Sequence, residues 1–122
     1  MESTLYQRLG GKPAVDAAVA LFYDKVLKDE SLRPFFDGVD MERQRRQQEM
    51  FMTMAFGGPD QYTGKDMRQA HAHLLARGLA DSHFEAVGNL LQATLQELGV
   101  SDGPTQEVMA IFGSARNDVL NR

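Results

Sequence analysis

Four side chains stand where their polarity needs a reason. His71 lies four residues after Met67 and three and four residues before Leu74 and Leu75, steps that put an imidazole on the apolar face of a helix. Gln44 and Gln48 fall one turn apart on a stripe otherwise made of Met41, Phe51, Met52 and Ala55. An inward amide without partners costs about 1 to 3 kcal/mol. Tyr23 has Val19 one turn before it and Val26 and Leu27 one turn after, so its ring faces the core while its hydroxyl needs a partner. An imidazole can bind a metal, and two amides with a hydroxyl can donate hydrogen bonds to a small polar ligand. Each residue also has a plainer reading: a histidine satisfied in the core, glutamines at the edge of the stripe bonded to backbone, and a tyrosine bonded to a carbonyl.

Which metal the imidazole could hold is limited by its company. The chain has no Cys and only three His. His73 lies about 200° round the helix from His71, on a face shared with Gln69 and Arg77, which is a solvated position. His83 follows Ser82, a residue suited to cap a helix, and reads as a first-turn surface residue. A bare zinc ion wants three or four protein ligands and is unsupported here. Haem asks for one axial imidazole, because the porphyrin brings its own four nitrogens and the sixth position can stay open to a gas. One inward histidine satisfies that requirement.

The elements that must position these residues are helical throughout. Gly10-Gly11, Gly57-Gly58-Pro59, Gly78 and Ser101-Asp102-Gly103-Pro104 divide the chain into segments whose apolar residues recur at helical spacing, and no segment reads as a strand. The pattern predicts helices over 3–9, 13–28, 41–56 and 66–76, one opened by a Ser82/Glu85 capping box and closed by Gly99, and one running from Gly103-Pro104 to the C-terminus. The fold class is all-α, in one domain over 1–122.

Composition excludes several functions. With 43% apolar and 25% charged residues the chain suits a globular protein, and a formal net charge of -4 gives no attraction to nucleic acid. No run is apolar enough to cross a membrane and the opening lacks a signal-peptide pattern, so the cytoplasm is the expected compartment. Arg43, Arg45 and Arg46 are flanked by Glu42 and Glu49, a solvated face. Met50, Met52 and Met54 alternate and so do not share one helix face, which favours packing over a metal-binding role.

Taken in order, LYQRLGG, AVALFYDKVLKDESLRPFF, DGVDMERQ, FGGPDQYTG, DMRQAH, HFEAV and a final DVLN resemble the truncated haemoglobins of the first group, the cyanobacterial-type globins, over nearly the whole chain. The resemblance implies a two-over-two helical sandwich, with His71 as proximal ligand to haem iron, Tyr23 as the distal hydroxyl facing bound oxygen, and Gln44 and Gln48 completing that cage. It implies that Phe36 packs against the porphyrin and that Phe51 and Met52 line the pocket or an apolar route to it. Met67, one turn before His71, joins the cofactor-binding set, and Tyr62, Arg68 and Arg46 are candidates for the haem propionates.

Two positions depart from relatives that close their iron with a distal histidine and attach haem through a C-terminal one. Gln47 stands at the distal histidine position, which leaves the ferrous iron five-coordinate when no gas is bound. Ala115 stands at the cross-linking position, which makes the cofactor a non-covalent haem b. The function that follows is reversible binding of O2 and other diatomic gases (NO, CO), with oxidation of nitric oxide to nitrate by a monomer served by an external reductase, because the sequence carries no dinucleotide or flavin motif. An oxygen carrier, store or sensor without turnover, or a six-coordinate electron-transfer haem protein, uses the same residues and stays open.

Overall fold

The computed structural model describes residues 4–58 and 64–121. Local signals set its first helices. Thr4 Oγ1 accepts from the Gln7 N–H at 3.1 Å while the Gln7 side chain accepts from the Thr4 N–H at 3.2 Å, a reciprocal cap that starts α1, Leu5–Leu9. Gly10, at φ 113°, ends α1 in the left-handed region, and Pro13 then occupies the first turn of α2, Lys12–Lys28, where a missing N–H costs nothing. A 3₁₀ turn follows at Arg33–Phe36. Asp40 caps α3, Met41–Ala55, by accepting from the N–H groups of Glu42 and Arg43. The remaining elements are α4 (Gly64–His71), a 3₁₀ segment (Ala72–Arg77), α5 (Asp81–Glu97), α6 (Asp102–Ser114) and α7 (Arg116–Val119).

Helix α2 packs on both α3 and α5, α5 packs on α6, and α3 reaches α6, so the pair α2 and α3 lies over the pair α5 and α6. This is the two-over-two all-α sandwich. Val15, Val19, Tyr23 and Val26 recur along α2 at three or four residues, and each is at most 2% exposed. They share one core cluster with Met52 of α3 and with Leu91 and Leu95 of α5. Helices α5 and α6 come together where Phe84 and Phe112 stack, 4.4 Å apart and 15° from parallel. A Cβ on the neighbouring Gly88 would stand 3.0 Å from the Phe112 ring, so a larger residue there would have to push that ring aside. Among the described residues there is no strand, and no helix is long and apolar enough to cross a membrane.

Four boundaries differ from the sequence expectation. The helix expected to be capped by Ser82 starts at Asp81, because the Ala80 N–H donates to His83 Nδ1 at 3.0 Å and the histidine ring takes the capping role. The helix expected after Gly103-Pro104 contains both residues in its first turn, and it breaks at Ala115 before the short α7 instead of running to the end. The segment expected as one helix over 66–76 is α-helical only to His71 and then tightens to 3₁₀, closed by Gly78 at φ 92°. That tightening turns about 120° per residue instead of about 100°, so Leu74 keeps the face of His71 while Leu75 swings away and is 38% exposed. The 3₁₀ turn at Arg33–Phe36 has no periodic signal of its own.

The junction of α1 with the end of α3 offers a stability test. The Tyr6 N–H donates to the Phe56 carbonyl at 2.8 Å, and a Cβ on Gly58 would lie 2.7 Å from Thr53 Cγ2 and 2.9 Å from the Tyr6 ring. Gly58→Ala is therefore expected to destabilise the protein by about 1 to 3 kcal/mol through overpacking, seen as a fall of several degrees in the thermal midpoint. An unchanged midpoint would show that the junction yields without cost.

Candidate functional site

The site is assembled from every layer of the sandwich. Asp40 fixes the first turn of α3 and so the angular position of all that follows it, which brings Gln44, Gln47, Gln48 and Phe51 onto one wall of a cleft. The 3₁₀ turn contributes Phe35 and Phe36, and the end of α4 and the segment after it contribute His71 and Leu74. Helix α5 adds His83, Phe84 and Val87, while Phe112, Ala115 and Val119 come from the C-terminal elements. The lining is mostly aliphatic and aromatic, with three amides and two imidazoles as its polar groups.

The structure thus brings together six of the residues singled out in the sequence: Phe36, Gln44, Gln47, Gln48, Phe51 and His71. Tyr23 stands one layer behind. It is 1% exposed, its ring lies edge-on to Phe22 and Phe36 with centroids 5.2 and 5.9 Å away, and its hydroxyl donates to the Gln44 carbonyl at 3.4 Å. That bond is longer than an ordinary O–H···O contact.

Other residues stand elsewhere. Met52 is fully buried in the core and is not among the residues lining the cleft, whereas its neighbour Phe51 is. Arg68 does not stand at the cleft; its Nε donates to Asp118 Oδ1 at 2.8 Å, an ion pair between α4 and α7. Arg46 is exposed on α3 and is not among the lining residues. His83 is not a plain surface residue: it is half-buried in the cleft wall, its ring edge-on to Phe35 at 4.7 Å. Tyr62 lies outside the described residues, as do the side chains of Met67 and His73.

Arg77 escaped the sequence reading. Its Nη1 donates to the Phe35 carbonyl at 3.1 Å and its Nη2 to the Pro34 carbonyl, so it ties the segment after His71 to the turn carrying Phe35 and Phe36. Backbone carbonyls as acceptors leave no trace in a pattern of side chains. Phe35, Phe84 and Phe112, which no sequence motif singles out, also line the cleft.

The donor set decides what the cleft can hold. Among the described residues no group of three or more His, Cys, Asp or Glu is placed to bind a bare metal ion. An apolar slot with one well-placed imidazole suits instead a flat apolar group that brings its own chelated metal. The His83 ring accepts at Nδ1 and so carries its proton on Nε2, which leaves neither nitrogen a ready metal ligand.

Comparisons with known proteins agree with this chemistry. The model of the bacterial-like globin family matches residues 4–121. A group 1 truncated haemoglobin from Synechocystis is 49% identical, over 98% of this chain and 99% of its own. A 2/2 haemoglobin from Synechococcus, solved in the cyanomet state with covalently attached haem, superposes with a TM-score of 0.90 at 50% identity and covers 98% of this chain and 100% of its own. The truncated haemoglobin of Tetrahymena pyriformis is 44% identical over 98% of this chain and 96% of its own. It has been solved with one tyrosine changed to phenylalanine and, separately, with either of two glutamines changed to glutamate. The intervals between those three positions are the intervals between Tyr23, Gln44 and Gln48.

The turn that holds Phe35 and Phe36 against the cleft gives a pH test. Asp29 Oδ1 accepts from the Ser31 hydroxyl at 2.6 Å and from the Ser31 N–H at 2.8 Å. The hydroxyl bond, outweighing partial burial, holds the Asp29 carboxyl below its ordinary 3.8. A lowered carboxylate value stabilises the fold above the unfolded value and loses that contribution as pH falls through the folded one. Asp29→Asn should therefore be less stable than the parent near neutrality, and the difference should close as pH drops below 3.8. Urea midpoints across that range check it, and a gap that stays constant would mean that charge plays no part.

Proposed function

The chain belongs to the bacterial-like globin family and, within it, to the group 1 truncated haemoglobins, and so binds haem and small gas ligands such as oxygen; we propose that the cleft is where it does so, with His71 as the axial ligand. The observation that carries this reading is that His71 and the three glutamines of α3 line one cleft whose other walls, apart from His83, are aliphatic and aromatic. When bound, haem supplies an iron with one position open to a diatomic gas and able to exchange an electron with it. The remaining work falls to the chain.

Gln44 and Gln48 donate to a gas ligand that takes on negative charge, and in apolar surroundings such bonds are stronger than in water. Tyr23 joins them by giving up its long bond to the Gln44 carbonyl, 3.4 Å, for one to the ligand. The substituted positions of the Tetrahymena protein support the grouping of these three residues. Together they slow oxygen release. Phe51, Phe84 and Phe112 give the cleft an apolar wall along which nitric oxide would enter. Its conversion to nitrate joins NO and O2 and takes up one electron, which an external reductase supplies.

His71 would be the one protein ligand to the iron of a bound haem. Glutamine is a poor ligand for iron, so Gln47 does not close the distal side, and His83 would have to give up its bond with Ala80 and move its proton before Nε2 could bind. Haem is held without a covalent link, because the methyl group of Ala115 offers no atom to bond to it at the cleft wall.

Optical spectra of the haem-loaded protein test the ligation: the ferrous form is expected to be five-coordinate and to convert to a stable complex with oxygen, and a six-coordinate low-spin ferrous spectrum would overturn it. His71→Ala should lose haem. Tyr23→Phe should keep haem and release oxygen about tenfold faster, the effect of losing about 1.4 kcal/mol of hydrogen bonding; stopped-flow release by the parent and variant decides. Nitrate formed per haem, with a reductase present, separates turnover from storage.

A further inference from the structure

Arg68 stands one turn before His71, and the C-terminal segment grips it at two points. Its Nε donates to Asp118 Oδ1 at 2.8 Å, and its backbone carbonyl accepts from Asn121 Nδ2 at 3.3 Å. Asp118 and Asn121 are the outer residues of the run Asp-Val-Leu-Asn. The inner two, Val119 and Leu120, are buried, and Val119 lines the cleft. The run therefore turns its polar ends to α4 and its apolar middle to the interior. Asn121 adopts φ 54°, a left-handed conformation that asparagine tolerates better than most residues, so one residue type meets both the backbone and the donor requirement.

The grip is anchored on its far side. Arg116, at the start of α7, pairs with Asp81 of α5 at 2.9 Å, and its guanidinium lies 4.8 Å from the centroid of the Phe84 ring. Helix α4, in contrast, has eight residues and changes to 3₁₀ directly after His71. A helix that short has little stability of its own, so its height and rotation are set by what it packs against.

We propose that Asp118 and Asn121 are positioning residues for His71, acting through Arg68: they lock α4 against α7 and thereby fix the angle at which the imidazole meets the iron. The inference rests on the reading of His71 as axial ligand. It gives the carboxylate and amide of the terminal motif a task at the haem site although neither lines the cleft.

The test is Asp118→Asn in the haem-loaded protein, read by the iron–histidine stretching band of the ferrous form, by haem transfer to an excess of apomyoglobin, and by apoprotein melting. The band is expected to shift and broaden and haem to leave about tenfold faster, at the lower end of the effect of losing an outer partner of a metal ligand. Apoprotein melting should move by only a few degrees, as suits a half-exposed ion pair. Asp118→Glu, which keeps the charge, should recover part of both haem readouts. An unmoved band overturns the proposal, as does faster haem loss that merely follows apoprotein melting. His71→Gly with and without added imidazole separates the two readings: a band that survives in His71→Gly without imidazole overturns the axial assignment and this inference with it. A band lost there but unmoved in Asp118→Asn overturns the inference alone.

Discussion

Everything else in this protein depends on keeping one largely apolar slot beside the imidazole of His71. One histidine can hold iron only if the cofactor brings the other ligands, and such a cofactor is a broad apolar plate that the interior must leave room for. In a 122-residue chain that space is taken from a core that is already modest. The two pairs of long helices accept this by concentrating their tight packing along α2 and α5, where Val19, Val26, Leu91 and Leu95 are almost fully buried. The cleft walls are left to side chains from many elements, none of which fills it.

Polar interactions then do their work at the rim of the slot. Arg77 grips the carbonyls of Pro34 and Phe35, His83 caps the backbone at Ala80, and Arg68 meets Asp118. Two of them tie short elements to one another, and the third fixes the start of α5. Among the described residues no fully buried side-chain nitrogen or oxygen lacks a partner, so the interior carries no uncompensated polar group. The polar side chains that do reach the slot, the amides of α3 with His71 and His83, are those with something to offer a ligand.

Legibility followed the period of the structure. Gln44, Gln48 and Phe51 stand four and three residues apart within one regular α-helix, and a regular helix turns that spacing into a shared wall. The same reasoning failed for Leu75, because the step changes to 3₁₀ immediately after His71 and carries that side chain outward. Met52 sits on the boundary of the α3 stripe, where a rotation of one residue decides between core and cleft, and the packing of α2 decided for the core. Arg68 and Ser82 failed for another reason. Arg68 meets Asp118, and at the start of α5 His83 takes the capping role that Ser82 was expected to play. The contact of Arg68 with Asp118 is long-range and has no local signature.

What the sequence alone determined is the set of helices, the all-α class, the family resemblance and the small number of residues able to do chemistry, since these follow from periodicity, from turn residues and from how few histidines there are. What only the tertiary structure decided is which of those residues share a space. Tyr23 comes to lie behind Phe36 with its hydroxyl on the α3 backbone, His83 enters the wall that its position near a helix start gave no hint of, and the two ends of the terminal motif close on the helix that carries His71. The reason is physical: helix formation is fixed by neighbours a few residues away, whereas a site built from α3, α4 and the C-terminal helices depends on crossings and helix rotations that the packed core as a whole selects.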